Sequence, residues 1–156
     1  MSRKTPEEWF AEYSVCHQNR ANKVIHWVCV PAIAASLIGM LWSIPFPWVT
    51  APAALNWAAF VIALCMIFYI RLSLRLALGM AVWASAVLGA IIGYESMTGG
   101  TVLVPSVIVF VAAWFGQFVG HKLEGKRPAF FQDLQFLLIG PAWVLDAFYR
   151  RIGIRR

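Results

Sequence analysis

Residues 25–44 read IHWVCVPAIAASLIGMLWSI, a run without a single Asp, Glu, Lys or Arg. A helix rises about 1.5 Å per residue, so about 20 residues cross the roughly 30 Å apolar slab of a bilayer. Working outward, three more runs of similar character follow at about 54–70, 76–94 and 102–120. SIPFPW (43–48) breaks the first run, Arg71 stops the second, and ESMTGG (95–100) closes the third. Hydrophobic residues make up 61% of the 156, well above the soluble norm. The expected fold is all-α: one integral membrane domain over 1–156 with four transmembrane helices. An N-terminal amphipathic helix and C-terminal interfacial or re-entrant helices complete it.

The net charge is +6, and its placement says more than its size. Lys and Arg flank the apolar runs and form no stripe, so the expected partner is an anionic lipid bilayer and not nucleic acid. Arg3, Lys4, Arg20 and Lys23 precede the first run, Arg71 and Arg75 lie between the second and third, and Lys122, Lys126 and Arg127 follow the fourth. The other two connections carry neither residue. Basic loops stay in the cytoplasm, which predicts both termini there. Cys16, Cys29 and Cys65 have no paired spacing and imply no disulfide framework. The polar first twenty residues predict no cleavable signal peptide.

The stretch PAFFQDLQFLLIGPAWVLDAFYRRIG (128–153) is apolar but carries Gln132, Asp133, Gln135 and a central Gly140-Pro141. Proline removes a helical hydrogen bond and clashes with the preceding turn. The expectation is two short helices broken near Gly140 and covering the cytoplasmic face, with a fifth span as the alternative. A basic tail of Arg150, Arg151, Arg155 and Arg156 ends the chain.

Upstream of the first run lies YSVCHQNRANKVIHW (13–27), with two of the three histidines. Thr5-Pro6-Glu7-Glu8 is a helix start: Thr5 as N-cap, Pro6 at the first helical position, and Glu8 closing a capping box. That helix would carry Phe10, Tyr13 and His17 on one face. Continued to His26, it would set the two histidines on opposite sides, since nine residues advance about 900° at about 100° each. Asparagine favours caps and turns, so QNRAN predicts a corner with Asn22 capping the first span. Across such a corner the two imidazoles converge.

The third histidine lies in WFGQFVGHKLEGKRPA (114–129), where Trp114, Gln117, Phe118, His121 and Glu124 follow helical spacing. Gly116 and Gly120 permit close approach of a neighbouring helix. All three histidines fall at the same interface. Together with Glu124, as ligand or as a carboxylate orienting a ring, they make a candidate metal site. Interfacial histidines also hydrogen-bond headgroups and backbone, and that reading stands beside the ligand set.

HQNRANKVIHWVCVP (17–31) and GQFVGHKLEGKRPAFFQDLQFLLIGP (116–141) together resemble the membrane 2-hydroxy fatty acid dioxygenases, a family with a yeast endoplasmic-reticulum enzyme and bacterial relatives. The resemblance spans nearly the whole chain. It implies an iron(II) enzyme of fatty acid α-oxidation that uses dioxygen to shorten a 2-hydroxy fatty acid by one carbon. Its histidines correspond to His17, His26 and His121, as catalytic metal ligands. Tyr13, Asn19, Asn22 and Lys122 are the candidate substrate contacts. Relatives often carry Glu where this chain has Asp146, which leaves its role open. Imidazole also suits copper, zinc and nickel. Zinc-dependent hydrolysis therefore remains an alternative, as does a non-enzymatic membrane assembly or lipid-binding protein. Transport would need ionisable groups within the spans, and the nearest, Arg75 and Glu95, lie toward the ends.

Overall fold

The computed structural model describes residues 4–45, 56–126 and 135–154, and these contain six α-helices and no strand. The helices are α1 (Pro6–Ser14), α2 (Arg20–Trp42), α3 (Trp57–Leu72), α4 (Leu74–Thr98), α5 (Leu103–Glu124) and α6 (Phe136–Arg151). Three of them, α2, α4 and α5, are long and apolar enough to cross a membrane, the make-up of an integral membrane protein. Helix α3 is apolar but has 16 residues. At about 1.5 Å per residue that is about 24 Å, less than a full crossing. Residues 46–55, 127–134, Arg3, Arg155 and Arg156 lie outside the described residues, and with them the expected polar segment at Gln132 and Asp133.

The chain divides into two compact units, one of residues 1–31 and 112–156 and one of residues 32–111. In the second, Ser73 alone separates α3 from α4. It is extended, and its N–H donates to the Tyr69 carbonyl at 2.8 Å while its own carbonyl starts α4. Arg71 in the last turn of α3 complements the helix dipole. Ile38, Ala58, Ile91 and Val102 form the buried core, with Trp42, Ile62 and Trp83 packed on it. Gly99, at φ 65°, ends α4 in the left-handed conformation that glycine tolerates, as ESMTGG foretold.

In the first unit, α1 begins as its sequence predicts. Thr5 Oγ1 accepts from the Glu8 N–H, and the Glu8 carboxylate accepts from the Thr5 N–H at 2.7 Å. Helix α1 buries Trp9, Phe10 and Tyr13 and presents Glu7 and Glu8 outward. Its aromatic face meets α6: Trp9 stands edge-on to Phe136 at 5.5 Å, Tyr13 lies 5.4 Å from Trp143, and the Trp143 indole donates to Ser14 Oγ at 3.0 Å. Arg151 of α6 sits over the Trp27 ring at 5.3 Å.

Two expectations need correction. Helix α6 is continuous through Gly140-Pro141, with no break between two short helices. Pro141 forfeits only the bond to the Leu137 carbonyl, and burial of Phe136, Ile139, Gly140 and Ala142 outweighs that loss. The cap of α2 is Asn19, whose Oδ1 accepts from the Ala21 N–H at 2.8 Å and the Asn22 N–H at 3.4 Å. Asn22 is three residues further in and fully buried.

Candidate metal centre

Helix α1 stops at Ser14 and α2 starts at Arg20, so His17 occupies the corner between them. His26 lies on the second turn of α2 and His121 on the last turn of α5. The α2 and α5 backbones approach closely where α5 has no side chains. A Cβ on Gly116 would stand 2.7 Å from Cys29 Sγ, and one on Gly120 would stand 2.5 Å from Asn22 Oδ1. That approach, together with the corner, brings the three imidazoles together. Ring centroids are 4.3 Å apart for His17 and His26, 4.8 Å for His26 and His121, and 5.1 Å for His17 and His121. His17 and His26 are fully buried and His121 is 5% exposed.

Hydrogen bonds fix which nitrogen two of the rings present. His17 Nδ1 lies 2.6 Å from the Tyr13 carbonyl and His26 Nδ1 lies 3.0 Å from the Asn22 carbonyl. A carbonyl only accepts, so both Nδ1 atoms carry hydrogen, and the Nε2 lone pairs turn to the cluster. The Tyr13 ring stacks on His17 at 4.2 Å, 14° from parallel, and holds its plane. Burial pulls the His17 pKa from its ordinary 6.5 to about 4 against the Tyr13 carbonyl's opposing pull, so the ring is neutral and able to bind a cation. Burial likewise keeps the Tyr13 phenol and the Cys16 thiol protonated.

One ligand nitrogen from each histidine lies within 4.8 Å of the other two. His26 Nε2 and His121 Nε2 are 3.1 Å apart, while buried His17 Nε2 and His121 Nδ1 have no hydrogen-bond partner among the described residues. Buried polar atoms are nearly always satisfied, so an unmet His17 Nε2 crowded against the nitrogens of His26 and His121 fits a cation between them. Two nitrogens about 2.1 Å from one ion at right angles would be about 3 Å apart, close to the His26–His121 spacing.

The other candidates take different places. Glu124 is outside the nitrogen cluster, and its oxygens accept from the Gln18 and Asn19 N–H groups and Asn22 Nδ2. Asn22 Nδ2 also donates to the Cys16 carbonyl at 3.1 Å, so its amide staples the corner. Tyr13 and Asn22 are buried, and Asn19 is exposed at its cap. Lys122 is exposed and about 100° around α5 from His121. Asp146 is buried and pairs with Arg150 Nε at 2.8 Å. Phe115 and Phe118 face outward; within this unit the buried face of α5 is Ala113, Gln117, Gly120 and His121. Two contributions had no place in the sequence reading: that of Trp143, 5.6 Å from His17, and the donation to the Val15 carbonyl by Lys126, which figured there only among the flanking basic residues. Gly125 between Glu124 and Lys126 was the available signal for the second, since it marks a helix end that turns the next residue back.

A family model described as Mpo1-like, 2-hydroxy-palmitic acid dioxygenase Mpo1-like, matches residues 3–152. No curated protein and no solved structure matches the chain.

Proposed function

The chain belongs to the Mpo1-like family, and from that premise we propose that it is an iron(II)-dependent dioxygenase shortening a 2-hydroxy fatty acid by one carbon. The observation that carries the reading is the buried cluster of His17, His26 and His121, with nitrogens within 4.8 Å and turned toward one another. When bound there, iron(II) would supply the redox chemistry that joins dioxygen to the hydroxyl-bearing end of the substrate. The atoms balance with one dioxygen: the 2-hydroxy acid gives the acid one carbon shorter, carbon dioxide and water.

The chain's own residues prepare that site. The Tyr13 and Asn22 carbonyls hold two rings in the tautomer that offers Nε2. The aromatic wall of Tyr13, Trp143 and Phe136 excludes water from the His17 side and strengthens the local electrostatics. A fatty acid in a bilayer presents its carboxylate at headgroup depth, and the histidines lie near the ends of two helices able to cross a membrane. Half-buried Lys23, one helical turn before His26, is the cation best set to receive that carboxylate. The distribution of Lys and Arg supports four spans with both termini and the centre on the cytoplasmic side.

Purified protein given iron(II), dioxygen and a 2-hydroxy fatty acid is expected to yield the acid one carbon shorter, as read by mass spectrometry. The unsubstituted and 3-hydroxy acids of equal length bury the same acyl surface and should not turn over, because neither offers adjacent hydroxyl and carboxylate oxygens. Equal turnover of all three, or activity undiminished by a strong iron chelator, overturns the reading.

A further inference from the structure

The end of α5 supplies more than His121. From there the chain reads HKLEGK (121–126), and two of those side chains reach back to the corner that carries His17. Glu124 Oε1 accepts from the Gln18 N–H at 2.8 Å, and Oε2 accepts from the Asn19 N–H at 2.8 Å and Asn22 Nδ2 at 3.0 Å. Gly125, at φ +70°, turns the chain out of the helix, and Lys126 Nζ donates to the Val15 carbonyl at 2.9 Å. The backbone is thus gripped on both sides of His17. The Val15 carbonyl is left over from the end of α1, and the Gln18 and Asn19 N–H groups precede the first turn of α2; helix ends leave such groups without intrahelical partners.

The closest holds on the His17 ring, the Tyr13 stack and the Tyr13 carbonyl, come from α1 and move with it, and Trp143 of α6 adds a looser contact at 5.6 Å. The Glu124 and Lys126 contacts instead tie the corner to the helix that bears His121. We propose that Glu124 and Lys126 are positioning residues that set His17 against His121, so that metal affinity depends on two side chains outside the nitrogen cluster. The proposal rests on the metal reading above. Glu124 carries the larger share, because its carboxylate accepts three charge-assisted bonds whereas exposed Lys126 donates one that salt screens.

The test uses the purified full chain with cobalt(II) as probe, since its visible absorption reports the ligand set. Glu124→Ala is expected to weaken cobalt binding about 10–100-fold and shift the absorption. Glu124→Gln keeps the size but turns an amide N–H toward a backbone N–H, and should fall between wild type and Glu124→Ala. Lys126→Met should lose affinity by a few-fold at low salt, about 2–5-fold for one screened contact. Hydrogen exchange of residues 15–20 in the metal-free protein should speed up in both Glu124 variants. Unchanged exchange overturns the clamp, and so does faster exchange with cobalt affinity and spectrum both as in wild type. Wild-type protein that binds no cobalt, or His17→Ala that binds it fully, overturns the metal centre instead and is told apart by the exchange measurement, which needs no metal.

Discussion

Each compact unit holds a helix end with one glutamate. In the unit of residues 32–111, Glu95 accepts from the Trp42 indole at 3.1 Å and from the Val102 N–H at 3.2 Å. In the other, Glu124 accepts from the N–H groups of the corner. What surrounds these carboxylates differs. In the unit of residues 32–111 buried Ser36 and Asn56 are satisfied close by in sequence: Ser36 donates to the Ile33 carbonyl, and Asn56 caps the Ala59 N–H at 2.9 Å. The corner unit buries three imidazoles with one nitrogen of each within 4.8 Å of the others, and among them His17 Nε2 has no hydrogen-bond partner among the described residues. Locally satisfied polar groups are the ordinary mark of a fold, and crowded unmet acceptors are the mark of a binding site. The same device therefore serves packing in one place and geometry in the other.

The largest expected effect breaks that distinction or keeps it. Replacing His17, His26 or His121 singly with Ala should abolish metal binding and product formation while the chain still inserts, because a site short of one ligand loses both affinity and geometry. Metal analysis and the product assay on membrane-purified variants check this. Full activity in any one variant removes that histidine from the site.

Next come the glycines of α5. Gly120→Ala places a Cβ 2.5 Å from Asn22 Oδ1 and 3.4 Å from Ile25 Cγ2, and Gly116→Ala places one 2.7 Å from Cys29 Sγ. Each should cost about 1–3 kcal/mol, as overpacked sites do, and Gly120→Ala should also weaken metal binding by displacing the Asn22 staple. A methyl added at Gly89 or Gly93 of α4 meets nothing within 4 Å, so Ala there should cost nothing. Thermal unfolding in detergent separates the two pairs, and equal behaviour would deny the close approach of α2 and α5.

Smaller still is Glu95→Gln. Its amide retains one acceptor and loses the other, so stability should fall by about 1 kcal/mol with metal affinity unchanged. A metal defect there would erase the contrast between the two glutamates.

Much of this was legible in the sequence, for physical reasons that differ by residue. The Thr5–Glu8 capping box is a local code, and it reads the same in the structure. Apolar runs near bilayer length gave the long helices, since uninterrupted hydrophobicity needs no tertiary context. Two asparagines three residues apart offered equal capping chemistry, so sequence could not choose Asn19 over Asn22; the buried amide bond from Asn22 to the Cys16 carbonyl decided it. Gly140-Pro141 read as a break because proline's local cost is visible and the packing of α6 on α1 is not. Glu124 stood close to His121 in sequence and read as a ligand or ring partner, yet its partners lie more than 100 residues away at the corner. Long-range contacts of that kind leave no periodic trace.

The smallest expected effect concerns pH and sharpens the account of the corner. His17 has its pKa lowered from 6.5 to about 4, chiefly because burial disfavours the charged ring. Lowering means that the folded, metal-free protein binds fewer protons than the unfolded chain wherever the two differ. The His17 contribution is thus complete above pH 6.5, declines as pH falls from 6.5 toward 4, and levels off below that. Metal-free wild type should show a flat melting temperature from about pH 8 to 7 and a decline below about 6.5, the ordinary histidine value. In His17→Gln the decline should be shallower, because Gln has no proton to gain on unfolding. Bound metal competes with protons for the same nitrogen, so loading should steepen the wild-type profile on the acid side while leaving the variant's profile unmoved. Identical slopes for metal-free wild type and His17→Gln would mean that His17 is hydrated in solution and that the corner does not bury it.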